Sequence, residues 1–168
     1  MRLLVVDDDV TVRMLLSMAL DDVDVVERWR ATGIVQQATE VAPDALILDR
    51  RLPDGDGLDA VRALRADRRT ADLPIVVITA DDDPVQRQQA FAVGADEHMP
   101  KPVSPEELLA LVSRIVATPV AQRRTRRAVH RARFHVGRPD GGLDDLTVTA
   151  LPVVAVEPRR RRRLLSRS

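Results

Sequence analysis

Ala45-Leu46-Ile47-Leu48-Asp49 is followed at once by Arg50-Arg51-Leu52-Pro53-Asp54-Gly55-Asp56-Gly57. A continuous apolar run that ends on a carboxylate reads as a strand covered on both faces, since a half-exposed strand alternates instead. The Pro-Asp-Gly-Asp-Gly segment behind it reads as a turn: proline presets φ, aspartate accepts local N–H groups, and glycine tolerates positive φ. A doubly covered strand needs parallel neighbours and crossover helices, and both are visible on either side of it.

Upstream, Arg2 to Val6 is a second apolar run, halted by Asp7-Asp8-Asp9. Val12, Leu15, Leu16, Ala19 and Leu20 follow at helical spacing. Val23 to Arg28 reads as a weaker strand, and Ile34, Ala38 and Val41 share a face of a helix over Thr32 to Ala42. Downstream, Leu58, Val61 and Leu64 mark a helix, and Pro74 to Ile78 is the most β-branched strand. Pro84 suits a first helical position, with Asp83 as N-cap and Gly94 closing the helix. A short fifth strand lies near Glu97 to Met99. Ser104 and Glu107 predict a capping box with Pro105 between them, opening a helix that carries Leu108, Leu111, Val112, Ile115 and Val116. Five such βα units in residues 1–117 predict an α/β fold, a five-stranded parallel sheet doubly wound by helices.

The net charge of zero over 168 residues hides a split. Residues 1–117 hold 22 acidic and 13 basic side chains, a net of −9; residues 118–168 hold 4 and 13, a net of +9. The expected organisation is therefore an acidic domain over 1–117 and an Arg-rich disordered tail over 118–168. Lys101 is the single lysine in a chain whose other basic residues are arginine, a hint that its position needs an amine. There is no cysteine, which excludes disulfides, thiol catalysis and thiolate metal sites. No apolar run reaches the ~18 residues of a membrane span, and the apolar start is too short for a signal peptide. A cytoplasmic location is expected.

In doubly wound sheets functional groups gather beyond the carboxyl ends of the strands. The residues there are Asp7, Asp8 and Asp9, then Asp49, Thr79 and Lys101. Clustered carboxylates repel unless a cation holds them ionised. Oxygen ligands without His or Cys suit Mg²⁺. A carboxylate can also be a nucleophile that forms an aspartyl-phosphate, with the metal, an ammonium and a hydroxyl stabilising the phosphoryl oxygens.

Leu4-Val5-Val6-Asp7-Asp8-Asp9, Leu46-Ile47-Leu48-Asp49 with its Pro53-Asp54-Gly55 turn, Val77-Ile78-Thr79-Ala80, and Gly94-Ala95-Asp96 with Lys101-Pro102 together resemble the receiver domain of two-component response regulators over residues 1–117. The resemblance implies a flavodoxin-like βα order and Asp49 as phosphoacceptor. It implies Mg²⁺ held by Asp7, Asp8, Asp49 and the Arg51 backbone carbonyl, with Asp7 acting mainly through water. Thr79 and Lys101 would bind the phosphoryl group, and the Lys101–Pro102 bond would be cis. The implied partners are a sensor histidine kinase or phosphotransfer protein and a downstream protein. The implied output is a phosphorylation-dependent change of the face built by the fourth helix, fifth strand and fifth helix, including a phosphorylation-dependent dimer. The implied role is a switch rather than an enzyme. Three positions depart from the family: His98 stands where an aromatic switch residue is usual, Val103 where Phe is frequent, and Pro100 precedes Lys101.

Two other readings use the same chain. Asp7-Asp8-Asp9-Val10-Thr11 also resembles the D-x-D-x-T pattern of haloacid-dehalogenase-type phosphatases, with Asp7 as nucleophile and Asp9 as general acid. That reading needs further metal acids after the lysine, and it leaves Asp49 and its turn unexplained. The basic tail, with Arg123, Arg124, Arg126, Arg127 and Arg159 to Arg163, suits weak electrostatic nucleic-acid contact. Asp54 and Asp56 read as ordinary turn residues.

Overall fold

The computed structural model describes residues 1–136 except residues 21 and 82. The strands are β1 (Arg2–Val6), β2 (Asp24–Arg28), β3 (Ala45–Asp49), β4 (Arg51–Leu52), β5 (Gly55–Asp56), β6 (Ile75–Thr79) and β7 (Glu97–Pro100). The helices are α1 (Val10–Ala19), α2 (Ile34–Val41), α3 (Gly57–Ala66), α4 (Pro84–Val93), α5 (Pro105–Ala117) and α6 (Val120–Val136). Five strands form one parallel sheet in the order β2-β1-β3-β6-β7, and β4 and β5 make a small antiparallel pair. This is the doubly wound, flavodoxin-like order expected.

The apolar runs explain the layering. Leu3 to Val6, Ala45 to Leu48 and Ile75 to Ile78 are wholly buried, and alternate residues feed opposite faces of the sheet. Leu4, Val6, Leu46, Leu48, Ile75 and Val77 join Ile34, Val61 and Leu64 beneath α2, α3 and α4. Leu3, Val5, Ile47, Val76 and Ile78 join Leu16, Leu108, Val112 and Ile115 beneath α1 and α5. Aliphatic side chains fill both layers, in a chain that holds only two Phe, one Trp and no Tyr.

Local signals set the helix ends. Asp9, Asp56 and Asp83 each cap a helix by accepting an N–H two residues on. Gly94 ends α4 at φ 111°. Ser104 accepts the Glu107 N–H at 3.3 Å, but its hydroxyl donates to Glu106 (2.9 Å), so Glu106 rather than Glu107 completes the contact.

The C-terminal segment departs from expectation. Residues 120–136, assigned by charge to a disordered tail beginning at residue 118, form the longest helix described. The boundary at residue 117 is thus a two-residue joint, closed by Thr118 on the Arg114 carbonyl (2.8 Å) and by the Pro119 carbonyl accepting from Arg123. α6 buries Arg123 and Arg127. Residues 137–168, including Arg159 to Arg163, lie outside the described residues.

The joint between α3, β6, β7 and α6 is built on Asp96, which is 5% exposed. Its carboxylate accepts the Ile75 N–H (3.0 Å), Arg65 (2.9 Å) and Arg127 (3.3 Å). Burial, and the charges of Arg127 and Arg123, push the Arg65 guanidinium down to about 10, against the pull of Asp96. Asp96→Asn keeps an acceptor for Ile75 but leaves the buried Arg65 without its counter-charge. Removing one partner of a buried pair is expected to cost about 3 kcal/mol, read as a lower urea midpoint with an unchanged m-value.

Candidate functional site

Strand register brings the acids together. Val6 lies opposite Leu48, so Asp7 emerges beside Asp49; Asp49 lies opposite Ile78, so Thr79 emerges one residue beyond it. β1 and β3 adjoin where the chain reverses its direction of winding, because in this sheet β1 is followed by β2 on one side and β3 by β6 on the other. Crevices at such switch points are where open α/β sheets bind ligands.

Asp7 is fully buried, Asp49 is 5% exposed and Asp8 faces solvent. One carboxylate oxygen from each lies within 4.8 Å of the others. Lys101 reaches into this cluster from the end of β7, its Nζ 2.6 Å from Asp49 Oδ2 and 2.9 Å from Asp7 Oδ2. The second contact is charge without hydrogen-bond geometry, because Asp7 Oδ2 is buried with no hydrogen-bond donor. Burial raises the Asp7 pKa, and the nearby Asp49 charge adds to the effect while Lys101 and the Asp9 N–H oppose it. Burial lowers the Lys101 pKa, but its hydrogen bond to Asp49 and the negative charges of Asp49 and Asp7 outweigh it, and the net shift is upward. The ammonium is therefore firmly charged.

Backbone groups fix each member. Asp7 Oδ1 accepts the Asp9 N–H (2.9 Å), and the Asp7 carbonyl accepts Arg13 of α1 (2.6 Å). Asp49 Oδ1 accepts the Arg51 N–H (3.0 Å). Arg51 sits on β4 opposite Asp56, and its side chain pairs with Asp81. Thr79 is fully buried; its Oγ1 accepts the Asp81 N–H (3.3 Å), and its carbonyl accepts the Lys101 N–H (2.8 Å). The Lys101–Pro102 peptide is cis. His98 stands opposite Val77 in the sheet and is half-buried.

The donor set fits a hard divalent cation. Three carboxylates converge with no imidazole or thiolate, and a buried carboxylate oxygen lacks a donor. A phosphatase-type role for Asp9 does not fit. Its carboxylate caps α1 on the Thr11 N–H (2.8 Å), which lowers its pKa, whereas a general acid must hold its proton.

Three residues support the site in ways that the sequence does not reveal. Arg50, next to Asp49, donates to Gln89 Oε1 (2.7 Å) and the Gln86 carbonyl (3.4 Å) of α4. Asp54 clamps the segment before α2 by accepting the Thr32 N–H (2.6 Å), the Thr32 hydroxyl (2.5 Å) and the Ala31 N–H (3.2 Å). Gly57 was read as a turn glycine, but it is needed for closeness. A Cβ there would enter the van der Waals shell of the Asp49 carbonyl oxygen and meet Arg50 Cα at 3.1 Å. Gly57→Ala is expected to cost about 2 to 3 kcal/mol in urea unfolding, because the obstacle is backbone that must move.

The comparisons with known proteins agree with this geometry. Residues 3–113 match the family described as the response regulator receiver domain. The Klebsiella pneumoniae phosphate regulon transcriptional regulatory protein PhoB is 33% identical over 117 residues, covering 68% of this chain and 51% of PhoB. Response regulator MprA of Mycobacterium avium is 41% identical over 112 residues, covering 66% of this chain and 48% of MprA. The chain thus spans about half the length of these curated relatives. Among solved structures, the receiver domain of the sensor histidine kinase PA1611 of Pseudomonas aeruginosa PAO1, with a magnesium ion in its active-site cleft, superposes with a TM-score of 0.64. It is 25% identical, and the match covers 70% of this chain and 98% of that one. With the sheet order, the acidic cleft at the switch point and the cis lysine–proline bond all in place, the chain belongs to the response regulator receiver domain family.

Proposed function

We propose that the chain accepts a phosphoryl group on Asp49 from a phosphohistidine donor, with Mg²⁺, and thereby switches a protein–protein interaction. The observation that carries this reading is the convergence of Asp7, Asp8 and Asp49 around one point, with Lys101 Nζ 2.6 Å from the Asp49 carboxylate. Asp7, Asp8, Asp49 and the Arg51 carbonyl would hold the metal. When bound, Mg²⁺ supplies positive charge to the phosphoryl oxygens.

This chain's residues do the rest. Asp49 presents Oδ2 as the nucleophile, while its Oδ1 is fixed by the Arg51 N–H. Attack on phosphorus forms the Asp49 O–P bond and breaks the bond to the donor nitrogen, and the electron pair leaves with the imidazole. Lys101 is held by cluster charge in its cationic form and is in place to pair with a phosphoryl oxygen. Thr79, buried at the adjacent strand end, has the hydroxyl to meet another after a rotation away from the Asp81 N–H. Arg51 and Asp81, paired with each other, lie two residues past Asp49 and Thr79, where their charges bear on the access of water to the acyl phosphate.

The downstream face consists of α4, β7 and α5. Among the described residues no helix is long and apolar enough to cross a membrane, and a cytoplasmic location belongs to this same reading. The test is uptake of phosphate by the purified chain from acetyl phosphate. Base-labile label that appears with Mg²⁺ and disappears with a chelator supports the reading; equal uptake in both would refute the metal's role.

A further inference from the structure

α6 docks through charge. The side chains it turns inward are Arg123, Arg127 and His130, while Val120 and Val129 remain 41% and 44% exposed. Arg127 reaches Asp96 (3.3 Å) and Asp72 (3.5 Å), and Arg123 donates to the Asp72 carbonyl (2.8 Å). Arg124 grips the Asp72 carboxylate at 2.7 and 2.5 Å, and Arg126 pairs with Glu97 at 2.8 Å. His130 stacks on Phe91 of α4, with ring centroids 4.6 Å apart. Below α6, a cavity of about 120 Å³ is lined by Ile115 of α5, by Thr118 just past its end and by Asp96 just before β7. The helix therefore covers part of α4, β7 and α5 together.

Such a contact is poised. Exposed pairs such as Arg124–Asp72 contribute little, and buried arginines must offset their own desolvation. The same contact is tied to the phosphorylation site along two short routes. β7 starts at Glu97, directly after Asp96, and ends directly before Lys101, the partner of Asp49. Arg50, adjacent to Asp49, is bonded to Gln86 and Gln89 of α4, the helix that carries Phe91. A charge added at Asp49 thus has a route to both elements under α6, through Lys101 and through Arg50.

We propose that the α4–β7–α5 face is a docking surface for an arginine-rich helix, that α6 is its resident occupant, and that phosphorylation at Asp49 loosens this contact and frees the acidic surface of Asp72, Asp96 and Glu97. The proposal rests on the phosphoacceptor reading above. A partner that takes the vacated face presents a basic helix of the same chemistry.

The experiment is amide hydrogen exchange on the full chain, with and without beryllofluoride and Mg²⁺ as the phosphoryl mimic. Beryllofluoride should slow exchange around Asp49 and speed exchange in residues 120–130 at least about tenfold. By reciprocity, Arg123→Ala combined with Arg127→Ala should bind beryllofluoride about five- to tenfold more tightly, with β1 and β3 exchange reporting that the core is intact. Protection around Asp49 with α6 exchange unchanged in the wild-type chain would overturn the proposal while leaving the phosphoacceptor reading standing. No protection around Asp49 in any form would defeat both.

Discussion

Asp49→Asn is expected to take up no phosphate above background from acetyl phosphate and Mg²⁺, while folding at least as stably as the wild type. The amide has no anionic oxygen to attack phosphorus, and Asp7 is not placed to substitute. Asp7 is buried, its pKa is raised, and Oδ1 is occupied by the Asp9 N–H. The same substitution removes a negative charge whose proximity disfavours ionised Asp7, so repulsion inside the cluster falls. Lys101 keeps Asp7 as its counter-ion at 2.9 Å. Urea unfolding should therefore show no loss, or a gain of about 1 kcal/mol. Residual label in this variant at a tenth of wild type or more would mean that another carboxylate is the acceptor.

Lys101→Ala should lower the rate of phosphate uptake by on the order of 10²- to 10³-fold, the usual cost of deleting one donor to a developing oxyanion. It should also lower stability. The ammonium is the counter-charge for two carboxylates that are 0% and 7% exposed at the side chain. It is itself 19% exposed, so a fully buried pair overstates the loss and about 2 kcal/mol is expected. Mg²⁺ can replace that charge. The deficit measured in chelator should therefore shrink on adding Mg²⁺, by more than Mg²⁺ stabilises the wild type. A stability loss indifferent to Mg²⁺ would show that Lys101 acts through packing and not through the acidic cluster.

The sheet was legible because its strands are buried on both faces and each ends on a polar residue, so Arg2 to Val6, Ala45 to Leu48 and Pro74 to Ile78 stand out as unbroken apolar runs. The gathering of Asp7, Asp8, Asp49, Thr79 and Lys101 was legible for the same reason: the parallel register carries the carboxyl ends of β1, β3, β6 and β7 to one edge. α6 was not legible. Its buried stripe is Arg123, Arg127 and His130, so a search for apolar periodicity finds nothing, and the arginine content suggests solvated chain. The spacing of i, i+4, i+7 was present, but in charged residues. The partners Asp72 and Asp96 lie 55 and 31 positions from Arg127, a separation that no local pattern reveals. Gly57 and Arg50 were hidden differently, since one answers to a close backbone approach and the other to a side chain on a distant helix.

The charge split of the sequence also acquires a structural meaning. The first arginines after residue 117 pair with Asp72, Asp96 and Glu97 of the acidic body. The face next to α4 and β7 thus carries a basic helix of its own, and any partner of that face competes with it.

The most direct test of the account is to phosphorylate the wild-type chain with acetyl phosphate and Mg²⁺, trap the acyl phosphate by reduction, and locate it by mass spectrometry. A single trapped position, Asp49, is the expected result. Trapping at Asp7 would contradict it and would make the first strand end, rather than the third, the seat of the chemistry.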